Sequence, residues 1–155
     1  MTPSLNFVKL VEDEEGLILH PYLDSAGIPT VGYGTTRYPN GKHVQMGDPA
    51  ITEAQAVTYL MNYVTDEVTA INTLLKGIPV NQNQFDAILD LAYNIGTTGF
   101  TDSTALRLIK ANPNDPKIGP AFLLWDKEHV DGNLTTSPGL LQRRRREVKL
   151  YYTKP

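Results

Sequence analysis

An α+β fold, mostly helical, is predicted: a small N-terminal lobe built on a three-stranded antiparallel sheet, joined by a long helix to a helical C-terminal lobe. Three observations predict it. After Pro49, apolar residues recur at three- and four-residue intervals, the mark of amphipathic helices. Between Pro21 and Gly41 the pattern shortens to strand-length runs separated by Gly, Pro and Asn. The 155 residues are 41% apolar, an ordinary globular composition that suffices for one core or for two small lobes sharing a helix. The expected organisation is a single domain over 1–155: a sheet lobe at about 15–50, a connecting helix at 51–77, and a helical lobe at 78–155 with the N-terminal helix packed on it. A cleft between lobes follows, and ligand sites gather at such interfaces.

Leu5, Val8, Val11, Ile18 and Leu19 line one face of a first helix that ends near Gly16 or a turn later, and Pro21 stops it. Tyr22-Leu23-Asp24, the small-residue turn Ser25-Ala26-Gly27, and Ile28 to Gly34 read as two strands of a hairpin. Asn40-Gly41 favours a type I′ turn into a third strand. Ala56, Tyr59, Leu60, Tyr63, Val64, Val68, Ile71, Leu74 and Leu75 form the stripe of one long helix, opened by a Thr52/Gln55 capping box and closed by Gly77 and Pro79. A second capping box, Asn81/Gln84, opens a helix carrying Phe85, Ile88, Leu89, Ala92 and Ile95, and Gly96 to Gly99 ends it. Asp102 or Ser103 caps a helix with Leu106 and Ile109, Asn112 to Pro116 is a loop, and a shorter helix holds Phe122 and Trp125. Ser137 with Pro138 begins the last helix. The region from Lys110 to Gly119, and Val130 to Thr136 with Gly132 and Asn133, are expected to follow loop paths of their own.

With no Cys, disulfides, thiol nucleophiles and zinc–thiolate sites are excluded. His20, His43 and His129 lack metal-ligand spacing such as His-Glu-x-x-His, and Ser25 lies in no Gly-x-Ser-x-Gly elbow, so neither a metal site nor a serine triad is expected. Neither a cleaved signal peptide nor a membrane span is expected, because no stretch approaches 18 apolar residues and no basic segment leads into an apolar run. The net charge of −3 hides a split of +5 over residues 143–155 against −8 over 1–142. Arg143, Arg144, Arg145 and Arg146 offer an anionic membrane surface as one partner; the plainer reading is a solvated helix face with one or two arginines pairing acids of the body. The acidic body argues against nucleic acid.

The chemistry-bearing segment runs from Glu15 to Gly34. Glu15 ends the first helix, Asp24 closes the first strand and Thr30 lies on the return strand, so the chain reversals bring two carboxylates and a hydroxyl toward one wall. Glycoside hydrolysis needs such a pair: one acid protonates the leaving oxygen while a carboxylate supports the sugar cation or activates water. The pair alone is weak evidence among 17 acids. Thr30 and the Thr-Val-Gly-Tyr-Gly run strengthen it, since two glycines flanking an aromatic suggest close backbone packing beside a site.

These residues resemble the phage-type lysozymes, glycoside hydrolase family 24, whose pattern is Glu, eight residues, Asp, five residues, Thr; Glu15, Asp24 and Thr30 match it without a gap. The resemblance continues through Asn81 to Ala87, Tyr93-Asn94-Ile95-Gly96, Phe100 to Ser103, Trp125 and Pro138-Gly139-Leu140 with its arginines. It implies a lysozyme-like fold and, without a cofactor, cleavage of the β-1,4 bond between N-acetylmuramic acid and N-acetylglucosamine in bacterial peptidoglycan strands. Glu15 would be the general acid, Asp24 the carboxylate base or stabiliser, and Thr30 a group holding water. By the same resemblance Thr36, Tyr93, Asn94 and Ser103 would face the glycan. An endolysin of a phage or prophage follows, a monomer that accumulates in the host cytoplasm and reaches the wall through a pore made by another protein. The rivals are a non-catalytic peptidoglycan-binding member of the fold and a membrane-disrupting protein acting through its basic last helix.

Overall fold

The computed structural model describes residues 1–155 and has the expected mostly helical α+β character. Its elements are α1 (Leu5–Glu15), β1 (Ile18–Leu23), β2 (Pro29–Gly32), α2 (Glu53–Tyr63), α3 (Thr65–Leu74), α4 (Gln82–Ile95), α5 (Thr97–Thr101), α6 (Thr104–Ala111), α7 (Ile118–Leu123), β3 (Lys127–Val130), β4 (Asn133–Thr136) and α8 (Pro138–Tyr152). They sort into two compact units, Val11–Asp66 and Met1–Leu10 with Glu67–Pro155. No helix is long and apolar enough to cross a membrane.

In the unit 11–66, β1 and β2 pair antiparallel with Tyr22 opposite Thr30 and a bulge between Ile18 and Tyr22. The sheet has two strands rather than the expected three. Gly32 and Gly34 both take positive φ (67° and 82°), which turns the chain back at once, and only isolated bridges follow, Val31 to Thr35 and Arg37 to His43. The Asn40-Gly41 turn is not type I′, because Gly41 alone is left-handed while I′ needs both residues at positive φ. Gly32 is required for packing as well as conformation: a Cβ there would stand 3.1 Å from the Cβ of Ala56 on α2. Val31, Tyr33, Val44, Ile51, Ala56 and Leu60 make the core of this unit, each large aliphatic contributing about 1.5–3 kcal/mol by leaving water.

Both capping boxes form as expected, Thr52 with Gln55 and Asn81 with Gln84. The long helix does not run through. It divides at Val64 (φ −87°, ψ 11°), where the Thr65 hydroxyl donates to the carbonyls of Met61 and Asn62 at 3.3 and 2.8 Å and competes with the helical ladder.

In the helical unit α4 is enclosed, with every residue from Asn83 to Ala92 buried. Such a helix must partner its polar groups, and it does. Asn83 donates to the Thr153 carbonyl, Gln84 donates to that of Pro113, Asp86 accepts from the Ser4 hydroxyl, and Asp90 takes two bonds from Arg143. Gly96 (φ 85°) ends α4, but the glycine-flanked segment winds into α5 instead of staying a loop. Ser103, not Asp102, caps α6, and Ser137 caps α8 with Pro138 in its first turn. Phe122 lies in α7 while Trp125 falls beyond it. Where a loop was expected, Val130 to Thr136 takes part in the antiparallel hairpin β3–β4, closed by Asp131 and Gly132 at φ 49° and 80°, the two positive values a type I′ turn demands.

Candidate active site

Glu15 is the last residue of α1, which Gly16 terminates in the left-handed region (φ 71°) with its N–H on the Glu12 carbonyl at 2.8 Å. No basic residue accompanies the acids Glu12 to Glu15 in that final turn. A Cβ at Gly34 would lie 3.7 Å from Oε2 of Glu15, an ordinary contact that places this carboxylate beside the turn after β2, and the left-handed φ of 82° is what calls for glycine there. The tight backbone approach in the Gly-Tyr-Gly run is at Gly32 against Ala56.

Asp24 is fixed by its own turn. Its Oδ1 accepts the N–H groups of Ala26 and Ile28 at 2.8 and 2.9 Å, and its N–H donates to the Ile28 carbonyl at 3.0 Å. Both carboxylate bonds fall on one oxygen. Thr30, 2% exposed, donates its hydroxyl to the same Ile28 carbonyl at 2.8 Å, so its Oγ1 can only accept from anything else.

Strand geometry adds a residue that the pattern of acids did not single out. Tyr22 is the cross-strand partner of Thr30 and stands two residues before Asp24, and residues so related share one face of a hairpin. The Tyr22 hydroxyl is raised above its usual pKa of 10.0 by partial burial, then by the charges of Glu15 and of Asp24, so both carboxylates lie within electrostatic reach of one phenol. The two-residue alternation ending at Asp24 was the available signal.

Thr36 is half-buried in the same unit, and its carbonyl accepts from Val44 N–H at 3.0 Å. Tyr93, Asn94 and Ser103 belong to the helical unit. Tyr93 meets Phe7 edge to face at 6.3 Å, Asn94 is exposed, and the Ser103 hydroxyl accepts the Leu106 N–H at 3.0 Å as a helix cap. No group of three or more His, Asp or Glu side chains is arranged to hold a metal ion.

The arginine cluster is half interior. Arg143 pairs with buried Asp90 at 2.8 Å, and Arg144, fully buried, meets Glu147 at 2.6 Å, while Arg145 and Arg146 are exposed. Of the two buried arginines, Arg143 makes the expected pairing with an acid of the body and Arg144 pairs the tail's own Glu147; burial withdraws both from the surface while Arg145 and Arg146 stay on it.

The sequence model of the family described as "Phage lysozyme" matches residues 12–147. The endolysin of Acyrthosiphon pisum secondary endosymbiont phage 1 is 40% identical over 143 residues, 92% of each chain. Among solved structures, an endolysin from Escherichia coli O157:H7 phage FAHEc1 superposes with a TM-score of 0.86 at 43% identity, covering 98% of this chain and 94% of that one. A mutant lysozyme of phage P22 gives 0.83 at 38% identity, with 99% of both chains covered.

Proposed function

The chain belongs to the phage lysozyme family, and from that premise we propose that it is an endolysin that hydrolyses the β-1,4 bond between N-acetylmuramic acid and N-acetylglucosamine in peptidoglycan. Glu15 is the general acid, giving its proton to the leaving glycosidic oxygen. A water seated between Asp24 and Thr30 attacks the anomeric carbon. The carrying observation is the state of the Thr30 hydroxyl: its proton is committed to the Ile28 carbonyl, and the two backbone bonds to Asp24 fall on Oδ1. A water donating one O–H to Thr30 Oγ1 and the other to Asp24 Oδ2 then turns a lone pair outward, as nucleophilic attack requires. Asp24 takes the proton as the C–O bond forms, and the anomeric configuration inverts. Thr36, Tyr93, Asn94 and Ser103 are assigned to the glycan as binding residues.

The test is clearing of outer-membrane-permeabilised cells together with release of reducing ends from purified peptidoglycan, for wild type and Glu15→Gln, with circular dichroism confirming that both are folded. New reducing ends from wild type alone support the reading. Clearing by both proteins without new reducing ends transfers the activity to membrane disruption, and clearing by neither leaves a wall-binding protein.

A further inference from the structure

A second concave site lies in the unit 11–66, apart from Glu15, Asp24 and Thr30. It is an open cavity of about 570 Å³ between the 38–50 loop and α2, with Tyr38, Asn40, Lys42, His43, Gln55 and Tyr59 among its lining. We propose that this cavity binds the acidic stem peptide of the cell wall through a carboxylate, an inference that rests on the peptidoglycan reading above.

Charge makes the first argument. The unit 11–66 contains eight acids and only two Lys/Arg, Arg37 and Lys42. Lys42 lines the cavity, and Arg37 is bonded to the His43 that lines it. Both permanent positive charges of an otherwise acidic unit thus lie at or next to one concavity, against the single lining carboxylate Asp48, and favour an anion there.

Hydrogen-bond capacity makes the second. Asn40 and Gln55 have their carbonyl oxygens occupied, by the N–H of Lys42 at 3.0 Å and the N–H of Thr52 at 2.8 Å, which orients both side-chain NH₂ groups as available donors. A guanidinium can only donate, so the 3.0 Å contact from Arg37 makes Nε2 of His43 the acceptor and leaves its proton on Nδ1, a further donor. The one lining carboxylate, Asp48, already accepts from the Tyr38 hydroxyl and the Gln45 N–H through Oδ2. Four side chains thus offer donors against one carboxylate whose Oδ2 is already engaged, so donors outnumber acceptors and an acceptor-rich ligand is favoured. The edge-to-face pair of Tyr38 and Tyr59, 5.5 Å between centroids, supplies an apolar wall for the small side chains of such a peptide.

Gln55 permits a test that spares the fold. Gln55→Glu keeps the oxygen that caps α2, since Glu serves a capping box as well as Gln, but replaces a donor with an anion. Full-length Glu15→Gln protein, alone, combined with Gln55→Glu, and separately combined with Lys42→Gln, is titrated calorimetrically with stem peptides released from peptidoglycan by an amidase. The same peptides with amidated carboxylates and a tetramer of N-acetylglucosamine serve as comparison probes. The expected result is saturable peptide binding that falls at least about tenfold with Gln55→Glu, with Lys42→Gln and with amidation, at unchanged melting temperature. Absence of binding, binding indifferent to both substitutions, or binding of the glycan tetramer alone overturns the proposal. Reducing-end release by wild type is measured alongside: its presence without peptide binding rejects this site and leaves the glycosidase standing, and peptide binding without it rejects the glycosidase instead.

Discussion

Glu15 sits where its charge is least welcome to the fold. It closes a helix whose last turn holds acids and no base, at the negative end of the helix dipole. Glu15→Gln is expected to abolish release of reducing ends while raising stability by about 0.3–1 kcal/mol, measured by urea unfolding; a loss of stability would mean that the carboxylate makes an ion pair the fold depends on. Tyr22 shares a hairpin face with Asp24 and Thr30, so Tyr22→Phe, which keeps the ring, is expected to lower kcat about tenfold with little change in KM and to move the pH–rate profile. At this scale the sequence was legible where residue type and spacing both mattered. Glu15, Asp24 and Thr30 stand out together, and Gly32 is legible as a close approach. Tyr22 was not, because a strand tyrosine is usually packing, and its place beside two carboxylates depends on a cross-strand register that the bulge shifts.

Among elements, the pairing of α4 with α8 depends on four buried charged side chains: Asp90, Arg143, Arg144 and Glu147. Arg143→Met strands Asp90 in the interior and is expected to destabilise the fold by about 3–5 kcal/mol, read by thermal or urea unfolding. Burial first, and then Asp90, hold the Glu147 carboxyl well above its ordinary 4.5, against the pull of Arg144 and Arg143. A carboxyl raised in the folded state contributes stability that is complete below its unfolded pKa and is lost as pH rises through the folded value. Stability attributable to Glu147 therefore declines as pH rises from 4.5, and Glu147→Gln, which retains a donor toward Asp90, is expected to flatten that decline in urea midpoints collected across pH. Capping boxes were readable because each joins two local side chains to local backbone. The hairpin β3–β4 was not: Asp131-Gly132 carries the same turn chemistry as Asn40-Gly41, and dipeptides alone do not show which of two such turns has strands to join. The break at Val64 was hidden because the apolar stripe continues across it while the Thr65 hydroxyl competes for the carbonyls.

For the whole molecule, the C-terminal tail makes the helical unit basic: residues 143–155 carry +5, and the rest of that unit carries −2. Residues 11–66 carry a net −6, and the remainder carries +3. The basic unit is expected to draw the enzyme to an anionic wall by a field that salt screens over about 10 Å at 0.1 M. KM on peptidoglycan should rise with ionic strength while kcat holds, and a salt-independent KM would rule out long-range attraction. Period and composition were enough to predict a mostly helical α+β chain, yet the position of the unit boundaries, at Leu10/Val11 and Asp66/Glu67, is a property of long-range packing and has no local signature. The proposed hydrolysis, by a water held between Asp24 and Thr30 with Glu15 as the acid, would fix the stereochemistry of the product. The anomeric configuration of the first product is therefore the decisive observable, followed by proton NMR from the start of the reaction with wild type and with Glu15→Gln. An inverted α-anomer from wild type and no product from Glu15→Gln are expected; a retained β-anomer, an anhydro-sugar end, or turnover by Glu15→Gln would contradict the proposed mechanism.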